Sequence, residues 1–100
     1  MCEEIYAPVQ IQTILQPVFA DYKIKKAILF GSYAKGLAQK HSDVDILVDS
    51  GLRGLSFFGL LEDVVTSLGK NVDLLDVSQL TSDSPVGEEI KESGVVIYGQ

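Results

Sequence analysis

The spacing of apolar residues along the chain predicts two substantial helices. The first covers about residues 8–22, and its apolar positions follow helical spacing: Ile11, Ile14, Leu15, Val18, Phe19 and Tyr22. Pro8 suits a first helical turn, whereas Pro17 lies inside the pattern and is expected to kink or divide the helix. The second helix lies within LSFFGLLEDVVTSLG, with Ser56 as its expected N-cap and Gly69 as its expected end. Its apolar stripe comprises Phe57, Leu60, Leu61, Val64, Val65 and Leu68.

Shorter apolar runs predict the strands of a small sheet. They are residues 27–30, residues 43–49, the segment NVDLLDVS and the closing segment GVVIYG. A short helix or turn is expected at residues 32–38, and a short acidic helix at residues 85–92. The connection between the first two strands is too short for an ordinary parallel crossover. We therefore expect an α/β fold, a small mixed β-sheet with helices packed on it.

Length and composition narrow the class of protein. One hundred residues suit one domain with one hydrophobic core, taken as residues 1–100. No apolar run approaches the roughly 18 residues that span a membrane, and the first ten residues contain no apolar signal core. A single cysteine, Cys2, excludes a disulfide within the chain. We therefore expect a cytoplasmic protein with no membrane partner.

The charges are unevenly distributed. A net charge of −6 argues against stable nucleic-acid binding by this chain alone, because phosphate neutralisation needs a basic surface. Five of the eight basic residues nevertheless fall within residues 23–40: Lys23, Lys25, Lys26, Lys35 and Lys40. This window is consistent with a site for a small anionic ligand such as a nucleotide, and equally with a solvated basic edge.

Two aspartates stand at the start of the second predicted strand. Asp43 and Asp45 are two residues apart, so on a strand they point to one face, roughly 6–7 Å apart along the chain. Neighbouring carboxylates repel unless a proton or a cation lies between them. Mg²⁺ is typically held by one or two carboxylates, with water and substrate phosphates completing its coordination. A pair of solvated surface charges is the alternative interpretation.

Gly31 and Ser32, directly after the first strand, favour the metal interpretation. Glycine permits a close approach of the backbone to a ligand, and the start of a helix offers free N–H groups to phosphate. A phosphate cradle and a carboxylate pair on adjacent strands are the two parts that a phosphate-transfer site needs. Ten residues separate Ser32 from Asp43.

GSYAKG followed by SDVDILVD resembles the nucleotidyltransferase superfamily, whose fold is the palm of DNA polymerase beta. The pattern Gly-Ser, about ten residues, Asp-x-Asp is specific, and the resemblance covers about residues 27–77. The chain is similar to the minimal nucleotidyltransferases, or MNT proteins. The resemblance implies that Gly31 and Ser32 bind a nucleoside triphosphate, with ATP as donor, while Asp43 and Asp45 hold two Mg²⁺ ions.

The family has a third carboxylate on a later strand, which holds metal and can act as base. Asp73 and Asp76 are both available in NVDLLDV, and three residues apart they face opposite sides of a regular strand. Asp73 fits the family pattern better, which makes Asp76 a strand-end or helix-capping residue. Lys35 stands where many relatives carry Arg, and either a phosphate contact or a solvated position fits it.

The resemblance also implies a biological role. MNT proteins are commonly paired with a small helical HEPN protein, an RNase toxin, and transfer AMP from ATP to one of its tyrosines. We therefore expect a protein adenylyltransferase that acts as an antitoxin. Two other hypotheses remain: a non-catalytic antitoxin that acts by binding alone, and a transferase for a small molecule or RNA that relies on a separate acceptor-binding subunit.

Overall fold

The fold is built on a sheet of four strands, as seen in a computed structural model that describes residues 5–80 and 85–99. The helices and strands are, in order, α1 Pro8–Asp21, β1 Lys26–Phe30, α2 Gly31–Lys35, β2 Val44–Asp49, α3 Leu55–Leu68, β3 Val72–Asp76, α4 Pro85–Ser93 and β4 Val95–Tyr98. A short 3₁₀ helix, Val77–Gln79, follows β3. The order agrees with the expected α/β architecture.

The sheet is mixed, as predicted. Its strand order is β3–β2–β1–β4; β1 runs antiparallel to both β2 and β4, whereas β2 and β3 are parallel. Phe30 at the end of β1 is paired with Asp45, and Asp45 is paired with Asp73 near the start of β3. The end of β1 and the starts of β2 and β3 therefore meet at one edge of the sheet.

One face of the sheet is covered by α1 and α3, and the hydrophobic core lies between them. Val44, Ile46 and Val48 are fully buried there, which confirms the predicted apolar face of β2. The helices contribute further fully or almost fully buried residues: Ile11, Leu15, Phe19, Leu60, Val64 and Leu68. Burying an aliphatic side chain of this size contributes about 1.5–3 kcal/mol. The core thus fixes which face of β2 carries Asp45.

The other face is covered less completely. α4 contacts β1 and α2, and Gly94, directly after α4, lies against the side chain of Ile28. Asp73 is exposed and Asp45 is half-buried. This face therefore leaves the starts of β2 and β3 accessible to a ligand.

The predicted helix boundaries need two corrections. α1 runs through Pro17 without division. Pro17 and Thr13, the residue whose carbonyl group loses its helical hydrogen bond, both lie on the exposed side of α1. Ser56 does not cap α3, because Gly54, at a positive φ of 61°, turns the chain directly into the helix and Ser56 lies within it. The ends predicted from Pro8 and Gly69 are confirmed.

Asp43 lies just outside β2, which begins at Val44. Within the described part of the chain, no helix is long and apolar enough to cross a membrane.

Candidate active site

Asp45 and Asp73 form the centre of the candidate site. They are paired residues of the parallel strands β2 and β3, and the charge of Asp73 acts on the Asp45 carboxyl group. Two carboxylates held side by side repel each other unless a proton or a cation lies between them. Burial, followed by the charge of Asp73, raises the pKa of Asp45 to about 6. The site therefore holds a proton at a pH where an ordinary aspartate has lost it.

Gly31 closes one side of this pair. It directly follows Phe30, the partner of Asp45 on β1, and it adopts a positive φ of 73°. A Cβ atom added at Gly31 would overlap the Asp45 carboxylate. Both the backbone conformation and the contact with Asp45 therefore require glycine at this position. The sequence predicted that the backbone at Gly31 closely approaches a ligand. In the structure it closely approaches the Asp45 carboxylate, at the edge where a ligand would enter.

The other predicted residues surround the pair at different depths. Ser32 is half-buried on α2, whereas Asp43 is exposed just before β2, and its charge adds to the rise in the Asp45 pKa. Among the described residues, no three His, Cys, Asp or Glu side chains converge as a ready-made metal site. The two adjoining carboxylates nevertheless fit Mg²⁺, which commonly takes one or two protein carboxylates and completes its shell with water and phosphate.

Lys35 lies at the same edge, in an ion pair that the sequence did not predict. Its Nζ donates a hydrogen bond of 2.9 Å to Oε1 of Glu89 on α4. The charge of Glu89 also contributes to the raised pKa of Asp45, which places its carboxylate within electrostatic range of the centre. The acidic character of residues 85–92 was the available signal, but sequence could not indicate where this helix docks.

Asp76 lies on the opposite face from Asp73 and takes no part in the pair. It is 5% exposed and accepts hydrogen bonds from the backbone N–H and hydroxyl of Ser50 and from the backbone N–H of Ser78. Burial alone would raise its pKa, but these bonds outweigh it and bring the pKa to about 2. Asp76 thus ends β3 and caps the following 3₁₀ helix, which confirms the strand-end and helix-capping role predicted for it.

Taken together, the edge presents a carboxylate pair suited to a divalent cation, a glycine that allows close approach, and a nearby lysine. The profile of the family described as polymerase beta, nucleotidyltransferase matches residues 11–100. The chain belongs to this nucleotidyltransferase family. The resemblance inferred from GSYAKG and SDVDILVD is confirmed, and the nucleotidyltransferase activity of the family follows with it.

Individual relatives of this nucleotidyltransferase agree with the assignment. A candidate protein adenylyltransferase of Methanocaldococcus jannaschii is 34% identical over 74 residues, which cover 71% of this chain and 78% of that protein. Two solved structures share the fold. One, a toxin–antitoxin with AMP-PNP, has a TM-score of 0.76 at 24% identity, covering 89% of this chain and 73% of that one.

The second solved structure is a tri-AMPylated Shewanella oneidensis HEPN toxin in complex with an MNT antitoxin. Its TM-score is 0.70 at 21% identity, and the match covers 93% of this chain and 73% of that one. The predicted fold class, a small mixed sheet with helices in the manner of the polymerase beta palm, is therefore confirmed.

Proposed function

We propose that this nucleotidyltransferase transfers AMP from ATP to a tyrosine hydroxyl of a HEPN-type RNase toxin and thereby acts as its antitoxin. The observation that carries the proposal is the pairing of Asp45 with Asp73 on adjacent strands, beside Gly31. Like charges held this close favour a proton or a cation between them. A site that binds cations and opens towards a backbone cradle suits a metal–triphosphate complex.

Asp45 and Asp73 would hold Mg²⁺, with Asp43 contributing from the exposed rim. When bound, Mg²⁺ supplies positive charge to the triphosphate and to the reacting oxygens, and two ions suit an in-line displacement. Mg²⁺ would compete with the proton that Asp45 retains because of its raised pKa. The expected competition between metal and proton is open to direct measurement.

Gly31, Ser32 and Lys35 would bind the triphosphate. Gly31 has no side chain to keep a phosphate away from the backbone, and Ser32 offers its hydroxyl and backbone N–H. Lys35 provides a positive charge on the same short helix, at the edge that contains Asp45. The role of these three residues is to orient the α-phosphorus towards the acceptor.

The reaction exchanges a phosphoanhydride bond of ATP for a phosphoester bond to the acceptor. The acceptor hydroxyl oxygen forms a bond to the α-phosphorus, and the bond from that phosphorus to the oxygen bridging to the β-phosphate breaks. Pyrophosphate leaves, and the hydroxyl proton passes to the Asp73 carboxylate. Catalysis of this kind depends on positioning and electrostatic stabilisation rather than on a covalent enzyme intermediate.

The relatives support the choice of acceptor. The Methanocaldococcus jannaschii relative is described as a protein adenylyltransferase, which suggests a protein hydroxyl as acceptor. The Shewanella oneidensis complex combines an MNT antitoxin with an AMPylated HEPN toxin. We extend both properties to this chain.

The test is to incubate the chain with ATP, Mg²⁺ and the protein that the adjacent reading frame encodes, and to measure intact and peptide masses. The proposal predicts mass increases in multiples of AMP on a tyrosine of that protein, and a loss of its RNase activity. Inhibition without any mass increase would favour an antitoxin that acts by binding alone. AMP found on an RNA or a small molecule instead would contradict the choice of acceptor while retaining the transferase.

A further inference from the structure

The ion pair between Lys35 and Glu89 connects the short helix α2 to α4. Nζ of Lys35 and Oε1 of Glu89 are 2.9 Å apart, and the two residues are 54 positions apart in the chain. The pair is therefore a tertiary contact between two elements, rather than a local contact within a helix.

The pair lies beside the Asp45–Asp73 centre. Glu89 is among the charges that act on Asp45, and Gly31 on α2 lies against the same carboxylate. A triphosphate at this edge would meet the Glu89 carboxylate as a repelling charge and the Lys35 ammonium as an attracting one. The same ammonium would thus have two possible anionic partners.

We propose that Glu89 and the nucleotide triphosphate compete for Lys35, so that the ion pair opens when nucleotide binds. This inference rests on the proposed function, because it requires the triphosphate to contact Lys35. Glu89 is a positioning residue that acts on the nucleotide through Lys35, and it has no direct contact with the reacting atoms.

The exposure of the pair is consistent with an exchange of partners. The side chains of Lys35 and Glu89 retain 43% and 34% of their accessible surface. Ion pairs this exposed are weak because water screens them. A triphosphate carries several negative charges and, together with Lys35, forms the stronger pair. Nucleotide binding would thereby exchange the contact that joins α2 and α4 for one that joins α2 and the ligand.

The test measures the dissociation constant of a non-hydrolysable ATP analogue with Mg²⁺ by isothermal titration calorimetry, using the folded chain. Lys35→Met should weaken binding, because it removes the ammonium while retaining the alkyl chain. Glu89→Gln should tighten binding, on the order of two- to fivefold, because exposed ion pairs are weak. Combining the two substitutions separates competition from simple repulsion. In the Lys35→Met background, competition predicts that Glu89→Gln tightens binding less than in the unaltered chain, because only the direct repulsion by Glu89 remains.

Glu88→Gln is the matched control, because it removes the same charge from the neighbouring exposed residue of α4. It should leave the dissociation constant unchanged. An equal tightening by Glu89→Gln in both backgrounds, or weaker binding in the Glu89→Gln variant, would overturn the proposal. Thermal unfolding of each variant identifies any effect that arises from misfolding.

The inference and the proposed function can fail separately. If Lys35→Met weakens binding but Glu89→Gln does not tighten it, the competition is wrong and Lys35 remains a nucleotide ligand. If Lys35→Met does not change binding, both the competition and the assignment of Lys35 are wrong. AMP transfer by the unaltered chain, measured as described above, still decides the proposed function in either case.

Discussion

Gly31 lies so close to Asp45 that a Cβ atom at Gly31 would overlap the Asp45 carboxylate. Gly31 also has a positive φ of 73°, which an L-residue with a side chain adopts only at a cost. We therefore predict that Gly31→Ala lowers the free energy of unfolding by about 1–3 kcal/mol and displaces Asp45 from the site. Chemical denaturation and calorimetric titration with an ATP analogue would measure the two effects.

Gly51→Ala provides the control for this prediction. Gly51 has a similar φ of 69°, but a Cβ atom there would meet nothing within 4 Å. It should therefore show only the backbone cost of about 1 kcal/mol and bind the analogue normally. If the two alanine variants bind nucleotide equally well, the contact between Gly31 and Asp45 has no role in the site.

Asp73 and Asp76 should respond in opposite ways to substitution by asparagine. Asp76→Asn places an NH₂ group against donors from Ser50 or Ser78, so we predict a loss of about 1–3 kcal/mol in the free energy of unfolding. Asp73→Asn relieves repulsion against Asp45 and should leave stability unchanged or slightly increased. Urea unfolding at neutral pH measures both values. A large loss of stability in the Asp73 variant alone would contradict these assignments.

Stability should depend on pH through Asp45. The pKa of Asp45 in the folded state is about 6, above its ordinary value of 3.8, so the folded chain binds more protons between these values. The contribution of Asp45 to the free energy of unfolding therefore falls as the pH rises from about 4 to about 6. Asp45→Asn should stabilise the chain by about 1 kcal/mol at pH 7.5, because water screens part of the repulsion at this half-buried residue. At pH 4 the substitution should have little effect on the free energy of unfolding.

Mg²⁺ should act on the same group. If Asp45 and Asp73 hold the cation, Mg²⁺ competes with the proton of Asp45 and raises the melting temperature of the unaltered chain at pH 7.5 more than at pH 5. The Asp45→Asn variant should lose most of this response, and differential scanning calorimetry would detect it. An equal response to Mg²⁺ in both proteins would place the metal elsewhere.

Tyr33 offers a test of the packing behind the site. Its side chain is 2% exposed, and within the described residues its hydroxyl has no hydrogen-bond partner. Tyr33→Phe removes a buried hydroxyl that makes no hydrogen bond to the described residues. The free energy of unfolding should therefore stay constant or rise by up to about 1 kcal/mol. Tyr6→Phe is the control: the Tyr6 hydroxyl donates to the Leu68 carbonyl at 2.8 Å, and its loss should cost about 1 kcal/mol. A cost for Tyr33→Phe equal to that for Tyr6→Phe would show that the Tyr33 hydroxyl is satisfied.

Most of the fold could be predicted from sequence, because the apolar residues of α1, α3 and β2 repeat with the periods of buried helices and strands. Two local predictions were wrong. Pro17 does not divide α1 because the lost hydrogen bond lies on the exposed side of the helix, and Ser56 does not cap α3 because Gly54 makes the turn into it. In both cases tertiary position outweighed a local preference.

The site could be predicted only in part. The spacing from Gly31 to Asp45 indicated an edge with a phosphate cradle and carboxylates, and the position of Asp73 opposite Asp45 agrees with that interpretation. Glu89 could not be predicted, because its contact with Lys35 depends on how α4 docks against α2, and no local pattern encodes that contact. The roles of Asp43, Asp45 and Asp73 in metal binding stay predictions.

The central claim is that the carboxylates of Asp45 and Asp73 are required for AMP transfer. The direct measurement uses ATP labelled either at the α- or at the γ-phosphate, with Mg²⁺ and the protein that the adjacent reading frame encodes. It compares the unaltered chain with Asp45→Asn, Asp73→Asn and Asp76→Asn. We predict that only the α-label is transferred, that it is lost in the first two variants, and that Asp76→Asn retains it at a temperature where the variant is folded. Transfer of the γ-label, or undiminished α-label in the Asp45 and Asp73 variants, would contradict the account.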